Sequence, residues 1–116
     1  ERDHVAPWHS VYKFNLLSDT EVTFLLTGGG HNAGIVPDPD HPRSQYRVRT
    51  KRNDAPYTAP DRWVEETEAV SGSWWPALSA WLADRSGAPV PPPEIGTEAK
   101  GYRPLCDAPG SYVFQA

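Results

Sequence analysis

The fold is decided by the stretch Val22-Thr23-Phe24-Leu25-Leu26-Thr27, which runs directly into Gly28-Gly29-Gly30-His31-Asn32-Ala33-Gly34. The first six residues are nearly continuous apolar sequence, a pattern typical of a strand that is buried on both faces of a parallel sheet. The glycine loop follows at the carboxyl end of that strand, where functional loops gather in parallel α/β sheets. The stretch therefore predicts an α/β fold with a functional loop at residues 28–34.

A helix is predicted upstream of the strand. Pro7 suits its first turn, and Ser18-Asp19 ends it. Its apolar stripe consists of Trp8, Val11, Tyr12 and Leu16. Residues 1–34 therefore predict the second half of a β-α-β unit, whose first strand would lie just upstream of Glu1.

Two polar side chains flank this helix–strand pair. Asp3 would follow the upstream strand and His31 follows strand 22–27, so both would lie at one edge of the sheet. Neighbouring strands lie about 4.8 Å apart, which brings the two within hydrogen-bonding reach. A carboxylate fixes the tautomer of an imidazole and stabilises its protonated form. We expect Asp3 and His31 to be the acid–base half of a catalytic triad; the alternative is two ordinary polar loop residues.

Composition narrows the possible functions. The 116 residues allow one domain at most, and the net charge of −4 argues against a nucleic-acid partner. A single cysteine, Cys106, excludes an internal disulfide and fits a reducing compartment. No apolar stretch reaches the ~20 residues that a membrane helix needs, and no signal peptide is evident. We expect a cytoplasmic chain that is cut from something longer.

Two other chemistries are possible in the glycine loop. Residues 28–33 satisfy the G-x-G-x-x-A dinucleotide fingerprint, but the prolines at 37, 39 and 42 exclude the helix that this motif requires. Asp38, Asp40 and His41, together with His31, are plausible metal ligands. A proline-stiffened surface loop explains the same residues, and we expect neither a metal nor a cofactor.

The downstream sequence predicts two more helices. The first covers Thr58–Val70, with capping-box spacing between Thr58 and Asp61. The second is capped by Ser73 and ends at Gly87, and its apolar face is formed by Trp74, Leu78, Trp81 and Leu82. The simplest interpretation of these aromatic faces is that they pack in the core or form a docking surface.

Three segments are expected along the chain: a catalytic-domain part at 1–87, a proline-rich linker at 88–101, and a tail at 102–116 laid back on the domain. With a single strand, the chain would have no sheet of its own and would expose both strand edges. We therefore expect it to fold by self-association as a homo-oligomer or by docking on upstream residues, or else to be partly ordered.

Four segments resemble the poly(3-hydroxyalkanoate) synthases, in that family's order. Asp3-His4-Val5-Ala6-Pro7-Trp8 resembles the segment around the catalytic aspartate, and Gly30-His31-Asn32-Ala33-Gly34-Ile35-Val36 resembles the catalytic-histidine loop. Gly72-Ser73-Trp74-Trp75-Pro76, followed by Trp81-Leu82, resembles the tryptophan-rich helix. Ala108-Pro109-Gly110-Ser111-Tyr112-Val113 resembles the closing segment.

The resemblance implies an α/β-hydrolase-like domain with a Cys–His–Asp triad, which polymerises (R)-3-hydroxyacyl-CoA into a granule-forming polyester and releases CoA. His31 would be the base and Asp3 the aspartate. His4 matches a histidine usually found beside that aspartate, and we expect it to contact substrate; the alternative is a structural loop residue. Asn32 stands where the family often has an aliphatic residue, and we expect it to contact substrate as well. The partners implied are hydroxyacyl-CoA, the polyester chain and the upstream part of the synthase, and the location implied is the granule surface. Two alternatives remain open: a non-catalytic assembly module derived from that family, and the C-terminal part of another α/β-hydrolase such as an esterase.

The chain also departs from that family. The nucleophile elbow G-x-C-x-G is absent, and Cys106 lacks its flanking glycines, so Cys106 is interpreted as a packing or incidental residue. A local group of cations could hold CoA phosphates, although a solvated basic loop is the simpler interpretation. That group is Arg43, Arg47, Arg49, Lys51 and Arg52.

Overall fold

The computed structural model describes residues 1–115 and contains a three-stranded sheet covered by helices. The strands are β1 (Val22–Thr27), β2 (Gln45–Lys51) and β3 (Val70–Ser71), in the spatial order β1-β2-β3. The α-helices are α1 (Trp8–Tyr12), α2 (Phe14–Leu17), α3 (Pro60–Glu66) and α4 (Trp75–Ala83). The predicted strand at 22–27 and the mixed helix–strand character of the chain are both present.

The prediction of a single strand is wrong, because β1 pairs antiparallel with β2 from Val22↔Lys51 to Thr27↔Tyr46. The chain therefore has a sheet of its own, and one edge of β1 is covered. Parallel pairing of the other edge of β1 with an upstream strand stays a prediction. The basic segment that we expected to be a solvated loop is this second strand. Its sequence carries a strand signal in the strict alternation of Tyr46, Val48 and Thr50 with cations.

The main core lies between one face of β1 and helices α1 and α3. Tyr12, Leu26 and Trp63 are buried there. The ring of Phe24 packs edge-on against both Tyr12 and Trp63, with centroid distances of 5.0 and 5.3 Å. The Tyr12 hydroxyl donates a hydrogen bond to the Thr58 carbonyl at 3.0 Å, so the polar end of this core residue is satisfied. This aromatic cluster fixes β1 under the two helices.

The first predicted helix is interrupted at Lys13, and its predicted apolar stripe is partly wrong. Val11 and Leu16 are exposed, while Asn15 is buried and donates a hydrogen bond to the Tyr12 carbonyl at 3.0 Å. Because the helix is broken after Tyr12, the residues beyond it do not continue the face that packs on the sheet.

The helix predicted at Thr58–Val70 is shorter in the structure. It begins at Pro60, with Ala59 at the N-cap and no side-chain capping bond, so the predicted capping box of Thr58 and Asp61 does not form. Proline already provides the conformation of a first helical turn. At Thr67 the backbone becomes extended, and Val70 belongs to β3.

Helix α4 lies on the opposite face of β1, where the Trp81 indole donates a hydrogen bond to the Thr23 hydroxyl at 3.1 Å. The Ser73 hydroxyl accepts a hydrogen bond from the Trp75 backbone N–H at 3.3 Å. Leu82 is exposed, contrary to its expected place on the packed face. No helix among residues 1–115 is long and apolar enough to cross a membrane.

The structure divides into two compact units, Glu1–Ser86 and the residues from Gly87 onward. The second unit is not purely extended, because it contains 3-10 turns at Glu98–Lys100 and Tyr112–Phe114 and a bridge between Thr97 and Tyr102. Gly110 has a positive φ of 78° and closes a turn onto the Asp107 carbonyl, where a turn was predicted. The placement of the tail on the domain stays a prediction.

Candidate active site

Asp3 and His31 lie in direct contact. The Asp3 Oδ2 and His31 Nδ1 atoms are 2.8 Å apart, a charge-assisted hydrogen-bonding distance. The Asp3 side chain is 20% exposed and the His31 side chain is 48% exposed. Since Nδ1 faces the carboxylate, Nε2 is the ring nitrogen that is free for proton transfer. The structure thus brings the predicted pair of residues together.

The backbone around Asp3 holds its carboxylate toward the histidine. The Arg2 N–H donates a hydrogen bond to the Gly29 carbonyl at 3.1 Å, which fixes this segment beside the glycine loop. Asp3 Oδ1 then accepts hydrogen bonds from the backbone N–H groups of Val5 at 2.8 Å and Ala6 at 2.9 Å. One carboxylate oxygen is thereby committed to the backbone, and the other is directed at His31.

These contacts keep the carboxylate ionised. The hydrogen bond from the Ala6 backbone and the contact with His31 lower the pKa of Asp3 from 3.8 to about 2. At neutral pH the His31 imidazole therefore faces an ionised carboxylate.

The glycine loop folds tightly after β1 because two of its glycines nearly touch. A Cβ on Gly29 would lie 2.5 Å from backbone atoms of Gly34, and a Cβ on Gly34 would collide with the Thr27 hydroxyl. The Gly34 N–H also donates a hydrogen bond to the Gly30 carbonyl at 3.1 Å. No helix starts at this loop, as the prolines at 37, 39 and 42 predict. The tight turn presents His31 at the end of the strand.

The tryptophan pair at the start of α4 holds the segment that follows His31, a role that the sequence reasoning missed. The Trp74 indole N–H donates to the Ile35 carbonyl at 3.1 Å, and the Trp75 indole N–H donates to the Pro37 carbonyl at 3.2 Å. The two rings stack at 4.3 Å. The available signal was that a partly buried indole N–H requires an acceptor, but the sequence does not say where that acceptor lies.

The other residues that the sequence singled out lack comparable contacts with Asp3 and His31 in the described part of the chain. His4 and Asn32 are exposed, and within residues 1–115 neither side chain hydrogen-bonds to Asp3 or His31. Cys106 is also exposed. Asp38 accepts a hydrogen bond from the Asp40 backbone, as expected of a turn. In the described part of the chain, no group of three or more His, Cys, Asp or Glu residues could hold a metal ion.

Most of the predicted basic patch is engaged in structural contacts. Arg49 pairs with Glu66 at 3.1 Å, and Arg47 pairs with Glu1 at 3.5 Å and bonds the Thr67 carbonyl. Lys51 donates to the Ser18 carbonyl at 3.2 Å. These cations anchor β2 to its surroundings, so the patch as a whole is not a phosphate site.

The chain is similar to several curated bacterial polymerases. It is 35% identical to the poly(3-hydroxyalkanoate) polymerase 2 of Ectopseudomonas oleovorans over 97% of its own length. It is 36% identical to the poly(3-hydroxyalkanoate) polymerase subunit PhaC of Cupriavidus necator and to the poly(3-hydroxyalkanoate) polymerase of Methylorubrum extorquens, each over 96% of its length. The chain belongs to the poly(3-hydroxyalkanoate) polymerase family. No family model matches it.

The chain spans only 18–19% of the length of these three relatives. It thus corresponds to a small part of a poly(3-hydroxyalkanoate) polymerase.

Proposed function

We propose that this chain supplies the base and the orienting carboxylate of a poly(3-hydroxyalkanoate) polymerase, which transfers (R)-3-hydroxyacyl groups from CoA to a growing polyester. The observation that carries the proposal is the 2.8 Å contact between Asp3 Oδ2 and His31 Nδ1 in a member of this family. The nucleophile, a cysteine, is contributed by the upstream part of the protein. The catalytic domain as a whole is α/β-hydrolase-like.

In the acylation step, His31 Nε2 accepts the proton of the cysteine thiol, and the thiolate attacks the thioester carbonyl. The C–S bond to CoA breaks, and the imidazolium returns its proton to the departing CoA sulfur. In the transfer step, His31 accepts the proton of an incoming 3-hydroxyl group and delivers it to the cysteine sulfur as the new ester forms. Asp3 stays ionised throughout and holds the ring in place. No cofactor is required.

The same proposal covers the residues that contact the substrate, the oligomeric state and the location of the enzyme. His4 and Asn32 are next to the pair in sequence and exposed, which suits contacts with the hydroxyacyl substrate. The polymerase works as a homo-oligomer in the cytoplasm, at the surface of the polyester granule.

The test is to incubate the full-length protein that contains this segment with (R)-3-hydroxybutyryl-CoA and to measure both CoA release and polymer. We expect CoA and polyester to appear together. Release of CoA with free 3-hydroxybutyrate and no polymer would indicate an esterase-like hydrolase instead. If no CoA is released while the protein is folded, the assembly-module interpretation replaces the proposal.

A further inference from the structure

Arg47, on β2, reaches the segment of chain that leads into Asp3. Its Nε atom is 3.5 Å from Glu1 Oε1, and the two side chains are 23% and 30% exposed. A second nitrogen of the same guanidinium, Nη1, donates a hydrogen bond to the Thr67 carbonyl, where α3 has ended. A single side chain thus connects β2 with the segment before Asp3 and with the end of α3.

The contact between Arg47 and Glu1 is shielded from solvent. The Nε atom of Arg47 is buried, and within residues 1–115 no atom accepts a hydrogen bond from it. The Glu1 carboxylate is therefore the group that compensates the charge at this nitrogen. Ion pairs at exposed positions, such as Arg62 with Glu66, contribute little, whereas the loss of one partner from a shielded pair is costly.

Residues 1–3 follow the end of β1 and the glycine loop. The Glu1 backbone nitrogen donates to the last carbonyl of β1 at 2.6 Å, and the Arg2 N–H donates to the Gly29 carbonyl at 3.1 Å. Asp3 comes directly after these two anchored residues. Since Asp3 Oδ2 is only 2.8 Å from His31 Nδ1, a displacement of Glu1 would move the carboxylate relative to the imidazole.

We propose that Arg47 is a positioning residue for the reaction of the proposed function, and that it acts through Glu1 on the orientation of Asp3. Arg47 is not among the residues that line the two cavities beside the His31 loop, which separates this role from substrate binding. Small displacements of a catalytic group lower the reaction rate strongly. The effect on turnover rests on the proposed function, whereas the effect on the distance between Asp3 and His31 does not.

The test compares variants of the full-length protein in the release of CoA from (R)-3-hydroxybutyryl-CoA. Glu1→Gln leaves the contact of Arg47 with Thr67 in place and removes only the charge that Arg47 faces. Arg47→Ala removes both contacts. The matched control is Arg49→Ala, which removes a cation of the same strand that pairs with Glu66 of α3 at 3.1 Å.

We expect kcat to fall about threefold in Glu1→Gln and about tenfold in Arg47→Ala, with KM unchanged in both. The double variant should lose no more than Arg47→Ala, since the two residues act as one unit. Arg49→Ala should keep the parental kcat. Parental kcat in Glu1→Gln would overturn the proposal, and so would a raised KM with unchanged kcat or an equal loss in Arg49→Ala. If Arg47→Ala does not fold, Glu1→Gln decides alone.

A crystal structure of the full-length Glu1→Gln protein measures the positioning without turnover. We expect the distance between Asp3 Oδ2 and His31 Nδ1 to lengthen beyond the 2.8 Å of the parent. An unchanged distance would overturn the positioning role even if turnover falls. If the parent releases no CoA but the distance lengthens in the variant, the proposed function fails and the positioning of Asp3 by Arg47 stands.

Discussion

At the scale of single residues, the chain contains two His–Asp contacts that look alike and differ in their anchoring. His9 and Asp61 are 3.0 Å apart on the surface of α1 and α3, with both side chains more than half exposed. Asp3 is only 20% exposed and accepts two backbone hydrogen bonds in addition to the histidine. The carboxylate of Asp3 is therefore held in one orientation, which favours the proposed role of Asp3 in positioning His31. The pair of His9 and Asp61 is a matched control for it.

The lowered pKa of Asp3 predicts a specific pH dependence of stability. Because the pKa falls from 3.8 to about 2 on folding, the stabilisation is full above the unfolded value and is lost as the pH falls toward 2. We expect the difference in unfolding free energy between the parent and Asp3→Asn to shrink as the pH falls below about 4. Urea unfolding of the full-length protein at several pH values measures it. A difference that stays constant down to pH 2 would contradict the account.

At the scale of elements, the glycine loop predicts a steric effect at Gly34. A Cβ there would collide with the Thr27 hydroxyl and lie 3.2 Å from the Gly30 carbonyl, so Gly34→Ala should displace the turn that carries His31. We expect CoA release to fall by at least about tenfold, since small displacements of a catalytic group are costly. Gly87→Ala is the control, because no atom lies within 4 Å of its added Cβ. Equal activity of the two variants would show that the close approach of the loop does not matter.

The tryptophan contacts predict that Trp75→Phe affects the loop that carries His31. The substitution keeps an aromatic ring but removes the N–H that reaches the Pro37 carbonyl, at a cost of about 1 kcal/mol in stability. Trp81→Phe removes an equivalent hydrogen bond to Thr23, away from the His31 loop. Both variants should lose similar stability, but only Trp75→Phe should lower the turnover rate. The measurements are thermal unfolding and kcat; a matching loss of kcat in Trp81→Phe would mean that the contact is merely structural.

The elements that the sequence predicted best are those specified by local pattern. The strand at 22–27 follows from an apolar run, and the turn that presents His31 follows from its glycines. The contact between Asp3 and His31, which are 28 residues apart, was predicted from chain order rather than from local pattern. The second strand was missed because its cations suggested a solvated loop, whereas their charges are neutralised by Glu1, Glu66 and backbone carbonyls distant in sequence. The tryptophan contacts were also beyond prediction, since 38 or more residues separate each indole from its acceptor. Such contacts depend on residues that are distant in sequence, and a single sequence does not show which residues these are.

At the scale of the whole molecule, the buried apolar core is small. It consists of Tyr12, Val22, Leu26 and Trp63, and no side chain among the described residues is less than 2% exposed. Several large apolar residues of the first helices are exposed instead, namely Val11, Phe14, Leu16 and Leu17. Exposed apolar side chains concentrated in one segment of the chain favour contact with other protein.

We therefore expect the isolated 116-residue chain to self-associate or to unfold without a cooperative transition. Sedimentation velocity and thermal unfolding of the isolated chain measure both properties. Replacing Phe14 and Leu17 by serine should reduce the association, because it removes apolar surface without touching the core. A monodisperse monomer with a sharp unfolding transition would contradict this expectation.

The central claim is that His31 is the base of an acyl-transfer reaction. The most direct test measures CoA release from (R)-3-hydroxybutyryl-CoA by the full-length protein, comparing His31→Ala with the parent and with His9→Ala. We expect a loss on the order of 10³-fold or more for His31→Ala, with the fold intact by circular dichroism, and near-parental release for His9→Ala. Near-parental release by His31→Ala would contradict it and make the pair of Asp3 and His31 a structural contact.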